Sequence, residues 1–98
     1  MLIKVDSLSQ DEAARRGVEE WPLRHHDVAR IPITYSETTV CFVVEGQARI
    51  ETEDGNVEVE TGDLVTLPAG LECTWLIRIP VATREEPRSD REQPAVSV

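Results

Sequence analysis

The sequence predicts an all-β domain, an antiparallel barrel or sandwich with one short N-terminal helix. Three observations predict it. Segments rich in β-branched residues recur along the chain, turn residues break them every few positions, and a helix signature occurs once, near the start. At 98 residues the chain is long enough for one domain and too short for two.

The elements follow in order. Residues 2–5 suit a short edge strand. Ser9-Gln10-Asp11-Glu12 fits a capping box: the serine hydroxyl accepts from a free backbone N–H and the glutamate reaches back to the cap. Acids open this segment, Arg15-Arg16 close it and Gly17 stops it, which predicts a helix over about residues 10–16. Trp21 is expected to seal that helix against the barrel. Leu23 to Tyr35 reads as extended chain, with Pro32 marking an edge because it lacks the N–H a central strand needs.

Thr38 to Glu45 is β-branched and aromatic-rich, a strand with Thr39, Cys41 and Val43 on one face and Val40, Phe42 and Val44 on the other. Both faces are largely apolar, so cover on both sides is expected, and a second copy of the chain can supply the outer cover. Glu45-Gly46-Gln47 reads as a turn. Ala48, Ile50 and Thr52 then alternate with Arg49 and Glu51, Asp54-Gly55 signals a hairpin, and Val57 and Val59 return inward. Gly62-Asp63 turns again, Leu64 to Leu67 is a short strand, and Pro68-Ala69-Gly70 stops it. Cys73, Trp75, Ile77 and Ile79 then alternate with Glu72, Thr74, Leu76 and Arg78, and Val81 to Arg84 forms a last strand. Residues 1–85 make one domain. Residues 86–98, charged and proline-broken without periodicity, are expected to be a disordered tail.

The net charge is −9, from 19 acidic and 10 basic residues, and such a surface repels phosphate backbones and anionic lipid. Nucleic acid and membrane are therefore not expected partners. No apolar run reaches membrane-spanning length, and the first residues lack a basic region followed by an apolar stretch, so a cytoplasmic protein is expected. Two cysteines, Cys41 and Cys73, are too few for a disulfide scaffold.

Two spacings carry a resemblance. Val43-Val44-Glu45-Gly46 closes one strand. Gly62-Asp63-Leu64-Val65-Thr66-Leu67-Pro68-Ala69-Gly70 joins a glycine turn, a short strand and Pro-x-Gly. Together they resemble the two motifs of the cupin superfamily. Glu20-Trp21-Pro22, Cys41 and Gly70-Leu71-Glu72-Cys73-Thr74-Trp75 resemble its small single-domain members, the ureidoglycolate-hydrolase-like or ethanolamine-utilisation-like cupins. The resemblance runs over about residues 8–84. It implies a cupin barrel (an RmlC-like double-stranded β-helix, or jelly roll), commonly a homodimer.

Metal-binding cupins usually supply His-x-His and a glutamate from the first motif and a histidine just after the second. By that resemblance the glutamate position is Thr39, the His-x-His window falls near Ile33 and Tyr35, the late histidine is Cys73, and a histidine near the end of the barrel aligns near Arg84. A catalytic metal needs about three protein ligands. This set offers Cys73, with Cys41 as a second, so no cofactor is predicted and a divalent metal would require an atypical site.

The pocket is expected to be formed by Tyr35, Thr39, Cys41, Cys73, Trp75 and Arg84. Its ligand would be a small polar or anionic metabolite, with Arg84 holding the charge. His25 and His26, adjacent on extended chain, point to opposite faces, so one of them can face the pocket as an acid or base. Two other readings stand beside binding. One is a cupin enzyme, a ureide-type hydrolase or lyase or an isomerase, using an atypical metal or a Cys73 nucleophile whose thiolate Arg84 would favour. The other is a structural or regulatory dimer with a vestigial pocket.

Overall fold

A computed structural model describes residues 2–87. Seven strands form one antiparallel sheet: β1 (Lys4–Ser7), β2 (Leu23–His26), β3 (Ala29–Thr34), β4 (Thr39–Thr52), β5 (Gly55–Glu60), β6 (Asp63–Leu67) and β7 (Glu72–Glu85). Helix α1 (Gln10–Arg15) and a 3₁₀ turn (Val18–Glu20) separate β1 from β2. The tail expected from residue 86 lies, past Pro87, outside the described residues. Glu86 itself still pairs, its N–H donating to the Val40 carbonyl at 2.8 Å.

The two 14-residue strands β4 and β7 organise the sheet. They pair with each other along their length. The first part of β4 also pairs with β6, from Thr39 opposite Leu67 to Phe42 opposite Leu64, and the second part with β5. On its free side β7 takes β3 along its first part and β2 along its last. Each long strand thus serves two halves of a bent sheet, and the bend closes it into a barrel.

The bend falls where the sequence reads as a turn. Glu45-Gly46-Gln47 does not reverse the chain: β4 runs straight through it, and its register against β7 shifts three times between Val43 and Arg49. Two physical reasons place glycine there. Gly46 has φ 94°, which residues with a side chain rarely adopt, and a Cβ on it would collide with the Pro80 carbonyl oxygen and lie 2.9 Å from the Val81 Cα. The Gly46 carbonyl is also held, accepting from the Thr61 N–H at 3.1 Å and the Thr61 hydroxyl at 3.3 Å. The shift moves the buried set of β4 from odd positions, Cys41 and Val43, to even ones, Ala48 and Ile50. It also corrects Ile79, expected inward: opposite Gln47 at the bend, it is 48% exposed.

Inside the barrel, Val43, Ile50, Val59, Val65, Leu67 and Ile77 are fully buried. Outside, a second cluster of Val18, Trp21 and Leu64 packs with Leu8, Ala13, Val40 and Phe42. The chain's own N-terminal segment thus packs against the outer face of β4 at Val40 and Phe42, both of which stay partly buried. The capping box that starts this segment is formed, with the Glu12 N–H on Ser9 Oγ at 3.2 Å and the Ser9 N–H on Glu12 Oε1 at 2.9 Å. No helix of the described residues is long and apolar enough to cross a membrane.

Gly46→Ala and Gly55→Ala separate clash from backbone strain. Gly55 also has positive φ, 131°, but open space around it. Gly55→Ala is expected to cost about 1 kcal/mol and Gly46→Ala at least about 3 kcal/mol in urea unfolding. Equal costs would show that the close crossing does not decide the role of Gly46.

Candidate functional site

The barrel encloses a cavity of about 240 Å³ between β2, β3, β4 and β7. Its walls are built by strand alternation. Ile31 and Ile33 of β3 face inward, opposite Trp75 and Cys73 of β7 in the register, and Ile77 and Leu67 complete the apolar lining. Tyr35 follows β3 and is fixed by its backbone, with its N–H on the Leu71 carbonyl at 2.9 Å and its carbonyl accepting from the Gly70 N–H at 2.6 Å. Its phenol oxygen accepts from Trp75 Nε1 at 3.0 Å. Thr39, at the start of β4, donates its hydroxyl to the Glu37 carbonyl at 3.1 Å.

A polar strip crosses this lining on β2 and β7. Arg24 and His26 line the cavity from β2, and Thr83 and Glu85 line it from β7, with Arg24 directly opposite Thr83 in the pairing. Arg24 Nε lies 3.9 Å from Glu85 Oε1; the arginine side chain stands at the mouth, 57% exposed, and the glutamate deeper, 27% exposed. Cys41 pairs with Glu85 across β4 and β7.

Of the residues expected at the pocket, Tyr35, Thr39, Cys41 and Trp75 lie together in the cavity wall. Cys73 packs in the same buried cluster on the inward face of β7, opposite Ile33 and close enough to Tyr35 to act on it electrostatically, but it is not among the cavity-lining residues. Arg84 is turned away altogether, and its Nη1 donates to the Trp21 carbonyl at 2.8 Å, tying the end of β7 to the N-terminal segment. Its sequence placement came from the resemblance; strand parity puts it outside. Carrying the period of two from Cys73, Trp75 and Ile77 to Thr83 and Glu85 finds the residues that do face in. His26 lines the cavity while His25 is exposed, as adjacent residues on a strand must differ. Arg24 shares the parity of His26 and was legible by the same rule.

The thiols are poorly disposed to nucleophilic chemistry. Burial pushes the Cys41 thiol up from the ordinary 9.0 to about 12, and the negative charge of Glu85 adds to the shift. Burial raises Cys73 as well. Arg84, bonded elsewhere, supplies no cation to lower either. Burial also lifts Tyr35 above the ordinary phenol range against the opposing effect of its Trp75 hydrogen bond, so it presents a neutral hydroxyl. Nor does the donor set fit a metal. Among the described residues no three His, Cys, Asp or Glu side chains converge as ligands, and a catalytic metal needs about three.

An antiparallel barrel bent about two long strands, with an apolar cavity on its inner face, is the cupin architecture. The chain belongs to the EutQ-like cupin domain family, whose model matches residues 13–84. A DUF861 family protein from Thermotoga maritima is 31% identical, with a TM-score of 0.83 over 89% of this chain and 100% of its own. EutQ from Clostridium difficile is 14% identical with a TM-score of 0.60, covering 64% of this chain, which spans 50% of that protein. A putative ethanolamine utilization protein Q from Salmonella typhimurium LT2 is 16% identical with a TM-score of 0.60, over 87% of this chain and 68% of that one. The last two share the fold. No curated protein matches the chain.

The Cys41 shift has a sign that can be checked. The folded thiol keeps its proton to higher pH than the unfolded one, so between 9.0 and about 12 the folded state holds more protons and rising pH favours unfolding. One such group contributes up to about 1.4 kcal/mol per pH unit across that window. Urea unfolding at pH 8, 9.5 and 11 is expected to show wild-type stability falling, and falling less steeply in Cys41→Ala. Parallel slopes would contradict the burial of the thiol.

Proposed function

We propose that the chain is a small-molecule-binding cupin whose ligand enters the barrel cavity with a compact apolar body. The observation that carries this reading is the cavity itself. Its wall of Ile31, Ile33, Leu67, Trp75 and Ile77 presents apolar surface that a close-packed interior of this size would otherwise fill. A cavity of about 240 Å³ is below the range of roughly 300–1,000 Å³ that drug-sized ligands occupy, so the ligand is a small metabolite. The polar strip at one side, from Arg24 to Glu85, orients it. In this reading Arg84, bonded to the Trp21 carbonyl, is not the group that holds the ligand, and Cys73 is a packing residue beside the cavity. A vestigial pocket is disfavoured by the same volume: Trp75 and Ile77 wall the space without closing it.

Toluene serves as a probe for the apolar body, since a cavity lined by aliphatic and aromatic side chains takes up such molecules. At about ten times its Kd it is expected to stabilise the protein by about 1.4 kcal/mol, a rise in Tm of roughly 6–11 °C for a domain of this length. Ile33→Trp, on an edge strand where the larger ring can be accommodated, fills the cavity and is expected to abolish the rise. No stabilisation of the wild type, or an equal rise in Ile33→Trp, would contradict the proposal.

A further inference from the structure

We propose that the polar group of the ligand is an uncharged donor–acceptor head, of the carboxamide type, and not a carboxylate or an ammonium. This rests on the reading of the cavity as a ligand site and specifies its chemistry. Two independent features of the polar strip carry it.

The first is charge balance. The cavity wall holds one arginine and one carboxylate, and they lie 3.9 Å apart. A carboxylate entering beside them must compete with Glu85 for Arg24 and sits close to a like charge. An ammonium competes with Arg24 for Glu85 and meets the guanidinium. Like charges within about 4–6 Å disfavour each other, more so at Glu85, 27% exposed, than at Arg24 in the open mouth, where water screens them. A neutral head leaves the Arg24–Glu85 pair intact and meets neither penalty.

The second is an unsatisfied hydroxyl. Thr83 is only 5% exposed and faces the cavity, and among the described residues no hydrogen bond reaches its side chain. A buried polar group without a partner is costly, and native interiors rarely keep one. Thr83 lies directly across the strand pair from Arg24 and two residues from Glu85, so a head group that meets the hydroxyl also meets the strip. The available functions match an amide. The Thr83 hydroxyl donates to a carbonyl oxygen, and the Glu85 carboxylate accepts from an N–H. Across the cavity, the Tyr35 oxygen already accepts from Trp75 Nε1, which leaves its O–H to donate. The apolar body then lies against Ile31, Ile33 and Ile77.

The test compares benzamide, benzoate and benzylamine on the full chain by isothermal titration, with toluene as the reference for the apolar body. Benzamide is expected to bind at least tenfold more tightly than either charged analogue and more tightly than toluene. Thr83→Val, which keeps the shape of the side chain, is expected to remove most of the advantage of benzamide over toluene. Tightest binding by benzoate or benzylamine, or equal binding by all three, would overturn the inference while toluene binding keeps the cavity as a ligand site. Failure of toluene along with the three head groups would overturn both. The comparison on wild-type protein stands whether or not Thr83→Val folds.

Discussion

The crossing of β4 over β7 at Gly46 is the constraint on which the rest of the structure depends. Two backbones approach there more closely than any side chain permits, with the Pro80 carbonyl and the Val81 Cα in the space a Cβ would need. That approach lets two 14-residue strands bend together without breaking their pairing. One half of each strand then builds the side closed by β5 and β3, and the other half the side closed by β6 and β2. The change of parity in β4 keeps Cys41 and Val43, then Ala48 and Ile50, on the inside of a sheet that has changed direction.

The cavity follows from the same bend. β7 carries odd-numbered residues inward on either side of the crossing, interrupted at the exposed Ile79: Cys73, Trp75 and Ile77 before it, and Val81, Thr83 and Glu85 after it, of which Cys73 and Val81 serve the packed core and the other four the cavity wall. The apolar part of the wall lies on the half that pairs with β3, and the polar strip on the half that pairs with β2. A molecule inside the barrel therefore meets aliphatic and indole surface at one end and Arg24, His26, Thr83 and Glu85 at the other. Burial keeps the Cys41 thiol and the Tyr35 phenol neutral beside them. The cavity thus sets a polar strip against an apolar wall, with the nearby thiols raised by burial.

Local rules were enough for most of the fold. Alternation placed the strands, the Ser9–Glu12 box started the helix, and the strand face carrying Val40 and Phe42 was seen to need cover. The sequence misled where the reason for a residue lies far along the chain. Gly46 reads as a turn because turns are the common use of glycine; its cause is Pro80, thirty-odd positions away, which no local window contains. The same holds for the site. Tyr35, Thr39, Cys41 and Trp75 were found from strand faces and from where barrels open, whereas Arg84 came from a family position that strand parity contradicts. Thr83 and Glu85 were within reach of the period-two rule, but only once Val81 to Glu85 is known to continue β7 and not to start a new strand. Arg24 and His26 acquire meaning only from the register of β2 on β7, a long-range fact.

Isoleucine methyl groups would report directly the position of a small molecule in the barrel. Ile31, Ile33 and Ile77 line the cavity, Ile50 lies in the packed core, and Ile3 and Ile79 lie away from the cavity wall. Titrating benzamide into protein labelled at the isoleucine δ1 methyls is predicted to move the resonances of Ile31, Ile33 and Ile77 and to leave those of Ile3 and Ile79 in place. Shifts led by Ile3 or Ile79, with the three cavity methyls unmoved, would contradict it.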